Sequence, residues 1–228
     1  QIGYTYPRTC TSMQKHHQND PWNLIIMNTL NKRHMTYNAK NYLQSISLYS
    51  LVILAVFIAS TLIGVIYSSM NPEIAQQSMD EFKNMLEFIK DLPPFAIMLF
   101  IFLNNTIKTL IAMLLGIGFG IIPIAFIAYN GYIIGIFGYI TSVENGLLYL
   151  LTALLPHGII ELPMVFLSAA IGVKLGTEMV HSVTGRKSNI KEELLQGIKF
   201  YFYWIVPLLF VSAAIETFIT PVFIQLLP

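Results

Sequence analysis

Three residues of this chain could do chemistry together: His157, Glu161 and Glu216. His157 and Glu161 are four apart, which puts them on one face of a helix. Imidazole with carboxylate is a donor set that a divalent metal such as zinc accepts. A metal-bound water could then be activated for hydrolysis, or one glutamate could act as general base. The His-x-x-x-Glu spacing lacks the second histidine of the zinc-protease helix motif. Near them stand Lys108 and the amides Asn104, Asn105 and Asn130. The same set allows two other readings. One is a hydrogen-bonded core in which Lys108 neutralises one glutamate, the other carries a proton and the asparagines complete the bonding. The other is a proton or cation pathway, for which the chain offers no inverted repeat. No phosphate-binding glycine loop, nucleotide motif or Ser-His-Asp arrangement is present.

What makes these residues conspicuous is their surroundings. Hydrophobic residues make up 55% of the 228 and charged ones 11%, against about 25% charged in a soluble domain. The apolar residues gather in runs long enough to cross a hydrocarbon core of ~30 Å. The spans read as 48–68, 95–115, 121–141, 147–172 and 200–223. The fold class expected is therefore all-α, a membrane helix bundle of about five spans, with lipid as an obligatory partner. Net charge is +1, which gives no pull toward nucleic acid. The single cysteine, Cys10, excludes a disulfide within the chain and a thiolate cluster.

Between the first two spans, 72–92 reads as an amphipathic helix. Asn71 can cap it, Pro72 suits its first position and Glu73 its positive end. Met79, Phe82, Met85, Leu86 and Ile89 form one stripe, opposite Asp80, Glu81, Lys83, Glu87 and Lys90. Residues 173–199 read as a polar loop, with a short helix opening near Ser188-Asn189. Residues 1–40 read as an irregular tail, with Met35 a candidate natural start.

Lysine and arginine set the expected orientation. They concentrate in the tail (Arg8, Lys15, Lys32, Arg33, Lys40) and in 173–199 (Lys174, Arg186, Lys187, Lys191, Lys199). The segment carrying the amphipathic helix is acidic. Five spans then place the N-terminus in the cytoplasm and the C-terminus outside, in a cell membrane. On that topology Asn105, Asn130, His157 and Glu161 lie about 15–20 Å below the outer surface, and Glu216 ~10 Å below it. An intramembrane ionisable group normally faces the bundle interior with a partner. One shared polar pocket, open if anywhere toward the outside, is the simplest arrangement. Pro156 and Pro163 flank its helix and predict a kink there.

Gly116/Gly120, Gly131/Gly135 and Gly172/Gly176 follow the small-xxx-small spacing of close helix packing, within the chain or across a homodimer. Gly158 is read as a further packing glycine. The run Phe200-Tyr201-Phe202-Tyr203-Trp204 reads as an interfacial belt.

Several of these pieces together resemble a known family. They are Phe102-Leu103-Asn104-Asn105, then Tyr129-Asn130-Gly131 with Gly135. Pro156-His157-Gly158 leads to Glu161-Leu162, with Gly172 and Gly176 beyond, and Ile215-Glu216-Thr217-Phe218-Ile219-Thr220-Pro221 closes the series. Over roughly 36–228 the chain is similar to the stage II sporulation protein M family. The resemblance implies a five-span bacterial or archaeal membrane protein. In spore formers such proteins sit in the septal membrane and assemble with peptidoglycan-degrading partners during engulfment. Relatives in organisms that never sporulate imply a broader role. The expectation is thus a membrane or cell-envelope assembly protein with other envelope proteins as partners. The metal-dependent hydrolase and the proton or cation pathway are its rivals.

Overall fold

In lipid the backbone must bond to itself, and apolar runs of about twenty residues do so as helices. The computed structural model describes residues 39–227 apart from 86 and 90, with backbone alone at 85 and 88. The expectations for residues 1–38, and for Leu86 and Lys90 of the amphipathic helix, lie outside the described residues. The described chain from Lys40 onward forms one unit. Among the described residues the ordered elements are all helical.

Five helices are long and apolar enough to cross a membrane. They comprise α1 (Ala39–Met70), α3 (Pro94–Leu115), α4 (Ile121–Asn145), α5 (Leu147–Val183) and a final rod from Ile190 to Gln225. The amphipathic helix is α2 (Pro72–Met85), followed by one 3-10 turn, Glu87–Ile89. The large side chains on the outside are apolar: Leu51 is 65% exposed and Ile63 59%. In water such a surface would aggregate, so its solvent is lipid.

Helices run further than the apolar spans. α5 has 37 residues, roughly 55 Å at the helical rise, well over the hydrocarbon thickness. The expected loop 173–199 is therefore corrected: α5 continues to Val183, and α6 (Ile190–Phe200) begins after a short turn. Glu178 stabilises that turn by accepting from Ser188 Oγ (3.2 Å) and Asn189 N (2.8 Å). Ion pairing holds the polar extensions together. Lys174 Nζ lies 2.8 Å from Glu193 and 2.9 Å from Ser45 Oγ, while Tyr42 donates to Glu193 at 2.8 Å.

α5 remains helical through Pro156 and Pro163. The backbone departs from α geometry in the last rod instead. π turns occupy Tyr201–Ile205 and Ile215–Ile219, separated by α7 (Val206–Ala214) and followed by α8 (Thr220–Gln225). Pro207 and Pro221 each sit two residues past a π turn. A proline ring collides with the carbonyl four residues back and cannot bond to it. Widening the preceding turn relieves that collision.

Glycines hold the bundle's seams. A Cβ on Gly116 would strike the backbone of Gly172, and one on Gly176 would strike Gly120 N. The tight α3–α4 link puts Phe119 (φ 61°) and Gly120 (φ 74°) in the left-handed region. Gly131 and Gly135 pack against Ser60, Thr61 and Gly64 of α1. All three glycine pairs are thus occupied inside the chain. Gly158 differs: a Cβ there would meet only Leu154 and Leu162 of its own helix, both at 3.9 Å, so it marks no close helix approach.

Candidate functional site

One face of α3 changes character along its length. Ile97, Phe100 and Ile101 are followed at the same helical spacing by Asn104, Asn105 and Lys108. The face opens onto two clefts. The first, about 650 Å³, lies among α2, α3, α4 and α5 with Tyr67 of α1 at its edge, and Asn130, Tyr129 and Tyr132 of α4 line it. The second, about 840 Å³, lies among α2, α3, α5 and the last rod, and His157 and Glu216 line it. Asn104, Asn105, Lys108 and Glu161 line both. The residues singled out in the sequence therefore gather round two adjoining clefts.

Their partners differ in kind. Asn130 donates to Phe126 O at 2.7 Å, which leaves its carbonyl oxygen as an acceptor. Asn104 Nδ2 is 3.5 Å from Asn105 Oδ1. Ser212 Oγ donates between His157 O (3.1 Å) and Glu161 Oε2 (3.4 Å), tying the last rod to α5. Glu216 lies inside the second π turn. Among the described residues Lys108 and Glu216 have no ion-pair or hydrogen-bond partner, and His157 Nδ1 is buried without one. The neutralisation of a glutamate by Lys108 is thus not what the geometry shows. His157, Glu161 and Glu216 share the second cleft. Among the described residues, though, no three His, Cys, Asp or Glu side chains are grouped so as to hold a metal ion.

Below the clefts the bundle closes. Thr109 donates to Asn105 O at 2.7 Å, Tyr201 donates to Thr106 O, and the two hydroxyls are 2.8 Å apart. Ser168 donates to Thr109 O at 2.8 Å. Met113 and Tyr201 are fully buried there, and the Gly116–Gly172 contact follows immediately. The expected aromatic belt is thereby split. Phe200 and Tyr201 turn inward, while Phe202, Tyr203 and Trp204 stay exposed.

Above the clefts lies α2. Its Ala75 and Met79 are buried against Ile136 and Ile140 of α4. Phe82 packs against Phe137 with ring centroids 4.7 Å apart and the rings tilted, and Gln76 donates to Glu144 at 2.9 Å. Ser78 and Glu81 reach the first cleft, Met79 and Lys83 the second, and Phe82 both. The helix is a roof docked on the bundle.

Residues 52–221 match the model of the family described as Stage II sporulation protein M. The chain belongs to that family. The match takes in every cleft residue named above from Asn104 to Glu216. Two relatives of the chain come from Methanocaldococcus jannaschii, and both carry the name of uncharacterised proteins. One is 32% identical over 123 residues, 52% of this chain and 68% of the relative. The other is 29% identical over 158 residues, 69% of this chain and 68% of the relative. No solved structure matches.

Sequence reasoning missed Thr109, Ser168, Tyr201 and Ser212. A serine or threonine in an apolar helix commonly bonds to its own backbone, so Thr109, Ser168 and Ser212 carried no separate signal, and Tyr201 read as part of the aromatic belt. The π turn at Glu216 did have a signal in Pro221, which reads more simply as a helix end.

Proposed function

We propose that this membrane protein is an envelope-assembly component whose intramembrane site receives a polar group from one face of the membrane only. The observation that carries the reading is the asymmetry of the bundle. Open clefts lie on the α2 side, and a hydroxyl layer followed by a glycine seam lies on the other. A receiving site needs one entrance, whereas a conducting pathway needs two. The charge pattern supports an orientation with the N-terminus in the cytoplasm and α2 outside. That puts the entrance where the partners of an envelope assembly would meet it.

Single cysteines in a Cys10→Ser background test this with a membrane-impermeant maleimide. Asn105→Cys should label from the outside and not the inside, and Met113→Cys from neither. Labelling of Asn105→Cys from both sides, with cation or proton flux in liposomes that Glu216→Gln abolishes, would establish a pathway instead.

A further inference from the structure

Opposite charges share these clefts without meeting. Lys108 is exposed to both clefts, yet no carboxylate among the described residues lies within ion-pair distance of it. Glu216 has no partner, and Glu161 has only the Ser212 hydroxyl at 3.4 Å. A charged side chain inside a membrane is costly unless a counter-charge or hydrogen bonds satisfy it. If the chain were built only to neutralise itself, Lys108 would sit on a glutamate. Instead, Lys108 on α3 and the glutamates of α5 and the last rod line a common space without an ion pair, and α2 adds Glu81 to the first cleft and Lys83 to the second.

We propose that the second cleft binds a zwitterion: one small group carrying both a phosphate or carboxylate and an ammonium. The anionic end meets Lys108 and the amides of Asn104 and Asn105, which can supply N–H donors. The ammonium meets Glu161 and Glu216. A single ligand of this kind supplies both missing counter-charges. A simple anion or cation would leave one set unsatisfied. Ile97, Phe100 and Ile101 line the same cleft, so the site also covers an apolar portion. This chemistry is that of an ethanolamine phospholipid headgroup, or of a soluble zwitterion entering from water. The inference rests on the one-sided receiving site proposed above.

The test uses the full chain in mixed micelles, with binding followed by native mass spectrometry. The probes are phosphatidylethanolamine and phosphatidylglycerol, with free phosphoethanolamine as competitor. The wild type should prefer phosphatidylethanolamine by about tenfold, the equivalent of ~1.4 kcal/mol. Glu216→Gln, close to isosteric, should erase that preference while leaving phosphatidylglycerol binding unchanged. Lys108→Gln should weaken both lipids, and Lys108→Arg should restore them. Competition by free phosphoethanolamine supports a soluble zwitterion as the ligand, and failure to compete supports a lipid headgroup. Equal binding of the two lipids by wild type, or a preference that survives Glu216→Gln in monodisperse protein, overturns the proposal. Cysteine labelling keeps the two ideas separate. One-sided labelling at Asn105→Cys without lipid preference removes the zwitterion and leaves the receiving site standing.

Discussion

Gly116, just past the end of α3, and Gly172 of α5 approach so closely that a Cβ on the first would overlap the carbonyl of the second. Backbone has nowhere to move in a packed seam. Gly116→Ala and Gly176→Ala should each cost about 1–3 kcal/mol, the usual range for overpacking. Thermal unfolding in detergent reads the loss. Gly158→Ala is the control, because a methyl there meets only leucine side chains at 3.9 Å. It should leave the transition temperature unchanged. If all three behaved alike, the seam would not be where α3 and α5 meet.

The hydroxyl layer under the clefts should behave as a coupled unit. Tyr201→Phe removes a hydrogen bond to the Thr106 carbonyl and a neighbour of the Thr109 hydroxyl, which keeps Asn105 O. Losing a neutral hydrogen bond costs about 0.5–1.5 kcal/mol. Thr109→Val removes the other side of the contact. The double variant should be less destabilised than the sum of the singles, by about 0.5–3 kcal/mol of coupling. Strict additivity in a double-mutant cycle would mean the two hydroxyls do not interact.

Docking of α2 can be trapped chemically. Gln76 and Glu144 are joined at 2.9 Å, whereas Asp80 is exposed. With Cys10→Ser as background, Gln76→Cys with Glu144→Cys should cross-link through a short bifunctional maleimide in native membranes. Asp80→Cys with Glu144→Cys should not. Failure of the first pair would place α2 away from α4, lying on the lipid surface as its amphipathic pattern alone allows.

Metal content separates the hydrolase reading from the others. The donors His157, Glu161 and Glu216 face one cleft but are not grouped as a ligand set. Protein purified in the presence of zinc and then dialysed should carry far less than one equivalent by inductively coupled plasma mass spectrometry. Near-stoichiometric zinc that is lost in His157→Ala/Glu161→Ala, with the protein still monodisperse, would make a metal site the better reading.

Much of the candidate site was legible because charge inside an apolar run is rare and expensive. Lys108, Glu161 and Glu216 stand out for that reason alone. Spacing put His157 and Glu161 on one helix face. Hydroxyl residues gave no such contrast, so the layer of Thr109, Ser168 and Tyr201 went unseen. The split of the aromatic run was equally hidden, because an aromatic at a helix end reads the same whether it faces lipid or protein.

The sequence by itself determined that this chain lives in a membrane, how many times it crosses and which ionisable residues lie within its spans. Each of those follows from local transfer free energy and the helical repeat. Only the tertiary structure decided that the amphipathic helix roofs the clefts, that every glycine pair is spent inside the chain, and that Lys108 stands apart from the glutamates. Those facts depend on which helix faces which, and that is settled by the fit of side chains across helices far apart in sequence.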